Sequence, residues 1–313
     1  MILDIRLQTS AGKYFCWLFL LLITAFEGRS QTQLLKDVKE LSSDSYQGRK
    51  TGTEGNRKAA GYIISRFRAI GLKGYHDAYK QGFTLKDRGK KFSGTNLVGY
   101  IPGKKNDVIV ISAHYDHLGI VGGKIYNGAD DDASGVGGLL HLAAYFAANK
   151  PEHTLIFAAF DAEEMGLKGS AYFVANPPVP LSSIRLNINL DMISHNDKGE
   201  LYVCGTYHYP ELKDYLLIPD PKIKLLPGHD NPKNGTKDDW TFQGDHGMFH
   251  KAKIPFLYFG VEDHKDYHQP TDDFANINKE FYANAVNTIL TVVKNYDQGL
   301  TKQQLFRNKR VMR

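Results

Sequence analysis

The sequence predicts a single α/β domain of three layers, a mixed, mostly parallel central sheet flanked by helices on both faces. Three observations predict it. Short apolar runs such as VIVIS (108–112) and LIFAAF (155–160) lack polar alternation, which fits strands buried on both faces. These runs alternate along the chain with stretches of helical periodicity, the pattern of β–α units packed above and below a parallel sheet. The chain has 313 residues, 42% hydrophobic and 23% charged, which is ordinary globular usage with ample length for a large core. Long disorder, a collagen repeat and a disulfide scaffold are excluded on the same grounds. The net charge of +5 is spread along the chain, so nothing points to a nucleic-acid partner.

Each element has its own signal. Residues 14–26 (YFCWLFLLLITAF) form one apolar run, preceded by Arg6 and Lys13 and followed by the small residues Gly28 and Ser30. That order predicts a secretory signal peptide over residues 1–30, since a bilayer-spanning helix needs about 20 apolar residues. An uncut membrane anchor is the alternative. No later segment is long and apolar enough to span a membrane. The expected organisation is therefore a leader (1–30), a domain over 31–299 that is exported to the periplasm or secreted, and a solvated basic tail over 300–313. Without the leader only Cys204 remains, so no internal disulfide can form.

QLLKDVKELSS predicts a short helix, and 45–56 (SYQGRKTGTEGN) a glycine-rich loop. In 57–70, Ala60, Ile63, Ile64, Phe67 and Ile70 recur at helical spacing before Gly71, a natural stop. Residues 82–95 are polar and basic and predict an exposed excursion. From there TNLVGYI, DVIVISA, TLIFAAF, IRLNINL, ELYVC and PFLYFG read as strands. DASGVGGLLHLAAYFAAN, LKGSAYFVAN, DHGMFHKAK and EFYANAVNTILTVVKNY read as helices.

Several of these strands run into acids or histidines. VIVISA leads to His114-Tyr115-Asp116, LIFAAF to Asp161-Ala162-Glu163-Glu164, and LNINL to Asp191. NGADDDASG (127–135) lies between the first two, and DYHQPTDD, with His268, follows PFLYFG. In an open α/β sheet the carboxyl ends of strands are where ligands collect. Asp130, Asp131 and Asp132 repel one another if buried together, and a divalent cation removes that cost. Imidazoles mixed with carboxylates and no thiolate suit zinc, with manganese or cobalt as substitutes. Glu163 and Glu164 can divide the work, one binding metal and the other moving protons. Taken singly each motif has an ordinary explanation: a solvated histidine, an N-cap cluster, a charged face. Their joint occurrence favours a metal site.

The motifs His114-Tyr115-Asp116, Gly128 to Gly135, Glu163 to Ser170, Leu190-Asp191-Met192 and Tyr267-His268 resemble, in order and spacing, the zinc aminopeptidases of metallopeptidase family twenty-eight. The lead-in DSYQGRKTGTEGNRKAAGYI is similar too, and the likeness covers roughly residues 33–297. The resemblance implies two zinc ions: His114 and Asp191 on one, Glu164 and His268 on the other, with Asp131 and a water or hydroxide bridging them. It implies Glu163 as general base, Asp116 as the residue orienting His114, and a cis peptide between Asp131 and Asp132. It implies peptide substrates with a free N-terminus, cleaved to release N-terminal amino acids. For the oxyanion donor, some relatives use a tyrosine directly before the last histidine, here Tyr267; others use one four residues before an Asp-His pair, where this chain has Thr241. Tyr267 is therefore the expected donor.

His117, His195, His246 and His264 find no open slot in a five-ligand site. Trp240, Phe242, Tyr258 and Phe259 are candidates for a substrate pocket, with core packing as the ordinary expectation. Two other functions fit the scaffold: a one-zinc glutaminyl-cyclase-like acyltransferase, from which the Glu163 to Ser170 segment departs, and a non-catalytic binding ectodomain, which would not need Glu163. A carboxypeptidase of related fold is a third.

Overall fold

A computed structural model describes residues 32–75, 79–87, 89–218, 221–235 and 238–300, so the expected leader and nearly all of the basic tail lie outside the described residues. In chain order the elements are α1 (32–41), α2 (Glu54–Ile70), β1 (Lys73–Gly74), β2 (Lys80–Asp87), β3 (Lys90–Ile101), β4 (Lys105–His114), β5 (Gly119–Val121) and β6 (Lys124–Tyr126). They continue with α3 (Gly135–Ala148), β7 (His153–Phe160), α4 (Lys168–Ala175), β8 (Ile184–Leu190), β9 (Glu200–Cys204), β10 (Lys224–Pro227), α5 (His246–Lys251), β11 (Phe256–Gly260) and α6 (Lys279–Asp297).

Nine strands form one mixed sheet in the order β1-β3-β7-β4-β8-β11-β9-β10, with β2 paired to β3. The centre, β7-β4-β8-β11, is parallel. On one side β3 runs antiparallel to β7; on the other β9 runs antiparallel to β11. β5 and β6 form a separate hairpin.

Strand periodicity builds the layers. Ile109, Ile111 and Ala113 of β4 enter a core with residues of α2, α3 and α6, while Val108 and Val110 enter a second core with Phe173 of α4 and Phe249 of α5. Helices cover both faces for that reason. α3 approaches closely: a Cβ at Gly137 would lie 2.5 Å from the Tyr282 hydroxyl, and one at Gly138 2.9 Å from Leu190. The helix limits follow local chemistry. Thr53 caps α2 by accepting from Asn56 N at 3.3 Å, and Gly71 ends it at φ 89°. Asn278 caps α6 by accepting from Phe281 N at 3.0 Å.

Two expectations are corrected. Residues 82–95 are not an excursion: they form most of the β2–β3 hairpin, whose Phe83 and Leu85 pack with Ala162. The polar residues alternate with those apolar ones because the hairpin is a half-exposed sheet margin. The 45–56 loop is shorter than expected, since Asp44–Arg49 forms 3-10 turns and α2 starts at Glu54. No helix among the described residues is long and apolar enough to cross a membrane.

Candidate metal centre

The four parallel central strands put their carboxyl ends side by side. His114 is the last residue of β4, Asp191 directly follows β8, and Glu163 and Glu164 lie just beyond β7. The loop after β11 carries Tyr267 and His268. Asp131 comes from the turn at Ala129–Ser134 that leads into α3, and its peptide bond to Asp132 is cis. Tertiary folding thus collects all five ligand candidates at one place.

Asp131 stands between two sets of side chains. Its Oδ1 is 3.1 Å from His114 Nε2, which lies 3.5 Å from Asp191 Oδ1. Its Oδ2 is 3.1 Å from His268 Nε2, which lies 3.4 Å from Glu164 Oε1. One oxygen therefore faces each set, the posture of a bridging carboxylate. Glu163 and Tyr267 line the same cleft with these ligands, and Tyr267 stacks on His268 with ring centroids 4.0 Å apart.

Asp116 acts through two groups. The His114 Nδ1 is 3.1 Å from the Asp116 carbonyl oxygen and 3.8 Å from its carboxylate. The carboxylate instead accepts from the backbone N–H of Glu163 at 3.0 Å and of Glu164 at 3.3 Å, so it fixes the segment bearing both acids.

Asp130 and Asp132 are buried beside Asp131 but point elsewhere. Asp132 accepts from the N–H of His114 (3.1 Å), Gly135 (2.8 Å) and Met192 (3.3 Å). It lies within ligand distance of His114 and Asp191, yet its oxygens are engaged by backbone. Asp130 accepts from Ser194 N and Oγ at 2.6 and 2.7 Å. Asp272 in turn accepts from the N–H of Asp130 and Asp131 at 2.8 and 3.0 Å.

The electrostatics follow from crowding. Burial pushes the Glu163 carboxyl well above its ordinary value, and the charges of Asp245, Asp191 and Glu164 add to this against His114. Burial opposes the charge on Asp131 as well, but His117, His114 and His268 around it hold its carboxyl well below the usual range. Burial also lowers His268, yet Asp131 and Glu164 raise it to about 10. Burial pushes the Tyr267 hydroxyl up, with Asp131, Asp191 and Glu164 adding to it, so it keeps its proton.

These residues fit zinc. The donor set is imidazole nitrogen and carboxylate oxygen, and Glu164 Oε1 and His117 Nδ1 are buried 2.8 Å apart without a well-formed hydrogen bond, while His117 Nε2 is buried with no partner. Bound divalent ions would satisfy the ligand atoms and neutralise the carboxylate excess.

His117 is the residue sequence reasoning passed over. It is 1% exposed, and its Nδ1 lies 2.8 Å from Glu164 Oε1 and 3.5 Å from Asp131 Oδ2. Its position next to Asp116, at the end of a buried strand, was the available signal. Arg49 was also missed. Buried to 1% exposure, it donates to the carbonyls of Leu41 (2.8 Å), Tyr115 (2.9 Å), Asn127 (2.5 Å) and Gly128 (2.9 Å), stapling the 45–56 segment to two site loops. No motif marked it. Thr241 is buried and donates to Asp239, so it does not replace the absent tyrosine. Asp245 and His246 are buried behind the cleft; burial takes His246 down to about 3, and its Nε2 is 2.9 Å from the Trp240 carbonyl. Of the four aromatic pocket candidates, Trp240 and Tyr258 line the cleft, Phe259 is in the core, and Phe242 is exposed.

Known proteins of the same build carry this further. The chain is 28% identical to aminopeptidase YwaD of Bacillus subtilis over 202 residues, which is 61% of this chain and 41% of that protein. It is 26% identical to leucine aminopeptidase 1 of Grosmannia clavigera over 276 residues, 82% of this chain and 63% of that one. It therefore spans less than two thirds of the length of either relative. Among solved structures, a Zn-dependent exopeptidase from Parabacteroides distasonis overlays with a TM-score of 0.67 at 19% identity, over 85% of this chain and 98% of the other. A glutaminyl cyclase from Bacteroides thetaiotaomicron also gives 0.67, at 20% identity over 85% and 97%. Overlays at such identity speak to the fold alone. Residues 96–293 match the model of peptidase family M28. That span takes in every strand tip bearing a ligand candidate, and the chain belongs to peptidase family M28.

Proposed function

We propose that the chain is a co-catalytic di-zinc aminopeptidase that releases N-terminal residues from peptides, acting after export to the periplasm or medium behind the leader at residues 1–30. The observation that carries this reading is the two-sided placement of Asp131, one oxygen toward His114 and the other toward His268. His114 and Asp191 would hold one ion, Glu164 and His268 the other, with Asp131 between them. When bound, the ions supply Lewis-acid polarisation of the scissile carbonyl and acidify an attacking water.

The chain's own groups do the rest. Glu163, its carboxyl raised by burial, has a proton affinity suited to taking a proton from water and passing it to the leaving nitrogen. Tyr267 keeps its proton and lines the cleft, so its hydroxyl can donate to the oxyanion. Trp240, Tyr258 and Val261 offer an apolar wall for the first side chain, and Asp263 offers a charge partner for the free ammonium.

The test measures metal content and turnover on aminoacyl fluorogenic peptides with one sample, with and without chelator. Two ions per chain, activity lost on chelation and no cleavage of N-acetylated peptides support the proposal. One firmly held zinc with cyclised glutaminyl product would establish the acyltransferase instead. Inactivity toward a broad peptide panel, equal in wild type and Glu163→Gln, would favour a binding module.

A further inference from the structure

Beside the catalytic cleft lies a second cluster of ligand-type side chains that the proposed reaction does not use. We propose that His195, His264 and Asp266 form a separate site for a borderline divalent cation such as zinc.

Each group is prepared for this. Asp266 is 4% exposed; its Oδ1 accepts from Thr271 Oγ1 at 2.7 Å, while its Oδ2 is buried with no hydrogen-bond partner. His195 Nδ1 is likewise buried and unpartnered, and lies 3.8 Å from that oxygen. Leaving a buried carboxylate oxygen and a ring nitrogen unmatched so close together is costly. His264 Nε2 is 3.0 Å from Asp130 Oδ2. A proton donated there puts the lone pair on Nδ1, the carboxylate–histidine arrangement that orients metal-binding imidazoles. That lone pair accepts the N–H of Asp266 at a long 3.3 Å, a contact that the ion would displace.

One ligand atom from each residue lies within 4.8 Å of the other two. Tetrahedral zinc at ~2.0–2.1 Å from its ligands separates them by ~3.3 Å, so small side-chain rotations close the set. The rings of His195 and His264 are stacked, centroids 3.8 Å apart and tilted by 32°, and they would have to splay to point two nitrogens at one ion. Three protein ligands leave a fourth position for water.

The placement gives the ion something to hold. Asp266 shares the loop of Tyr267 and His268, His195 follows Asp191 by one short turn, and Asp130 adjoins Asp131. A cation here would pin three segments that carry the catalytic side chains without touching substrate.

The test is a zinc titration of the full-length metal-free protein, with metal content confirmed after desalting. Wild type is expected to bind one more ion than His195→Ala, and Asp191→Asn is expected to retain that ion while losing affinity in the catalytic centre. The inference does not depend on how many ions that centre holds, so its failure and that of the peptidase reading are separable. Added zinc should raise the Tm of wild type beyond its value with the catalytic centre filled, and not that of His195→Ala. Equal stoichiometry in wild type and His195→Ala would overturn it. So would a wild-type Tm that stays flat with added zinc once the catalytic centre is full, a result that needs no variant.

Discussion

Two shells of buried carboxylates meet at the strand tips, and they are neutralised in opposite ways. In the floor, Asp116, Asp130, Asp132 and Asp272 accept backbone N–H groups from neighbouring loops. In the mouth, Asp131, Glu164 and Asp191 face imidazole nitrogens, and Glu163 faces the cleft. Floor acids spend their charge on fixing the chain, so they act like covalent ties between segments far apart in sequence. Mouth acids keep oxygens available for cations. Adjacent residues of one turn, Asp130, Asp131 and Asp132, divide between the two shells, so residue type alone does not tell a ligand from a tie.

Substitutions break or sharpen this contrast. The largest expected effect is on turnover. Glu163→Gln should lower kcat by about 10²–10⁴-fold with metal content unchanged, read by steady-state kinetics beside metal analysis. A loss of metal in that variant would move Glu163 among the ligands.

Next come the ties. Arg49→Ala strips five backbone carbonyls, that of Asp131 among them, of their donor in a buried setting and should cost about 3–5 kcal/mol. Asp132→Asn should cost about 1–3 kcal/mol, since the amide oxygen alone cannot replace three N–H contacts to a carboxylate. Denaturant unfolding of the metal-free protein measures both. In contrast, Asp191→Asn should weaken metal binding and leave the metal-free stability nearly unchanged. Equal destabilisation by Asp132→Asn and Asp191→Asn would erase the distinction between floor and mouth.

His117→Ala should weaken metal binding by about 10–100-fold, because its ring contacts Glu164 and Asp131. Competition with a chromophoric chelator reads it, and an unchanged affinity would make His117 a packing residue only.

The smallest effect lies far from the site. Asp297 accepts from the N–H of Glu152 and His153, and although burial opposes its charge, these bonds and the His153 ring hold its carboxyl below the ordinary value. With the folded pKa depressed, its stabilisation is present above the unfolded value of about 3.9 and is lost as pH falls through the lower folded value. The Tm gap between wild type and Asp297→Asn should therefore narrow as pH drops from 5 towards about 3. A gap that holds constant across that range would make Asp297 a neutral hydrogen-bonding group.

How much was readable in advance depended on whether the signal was local. Buried strands such as β4 and β7 announce themselves as unbroken apolar runs. α2 and α6 announce themselves by period and by caps at Thr53 and Asn278. The acid and histidine motifs stood out by their joint occurrence, and the resemblance to the family picked the five ligand candidates from among them. The β2–β3 hairpin was misread because its margin position exposes one face, so polar residues dominate a true strand. β1 and β10 are too short to carry a pattern.

By itself the sequence determined the layered α/β architecture and the acid and histidine motifs, since periodicity and residue chemistry are properties of the chain, while the resemblance to the family singled out His114, Asp131, Glu163, Glu164, Asp191 and His268 within those motifs. Tertiary structure alone decided that both oxygens of Asp131 face imidazoles while Asp132 binds backbone and Asp130 binds Ser194 and His264, that Asp116 holds the Glu163-Glu164 segment, and that His117 and Arg49 pack against the site. Those outcomes depend on which N–H groups and rings arrive from distant segments, and a partner that comes from elsewhere in the fold leaves no mark in the residues beside it.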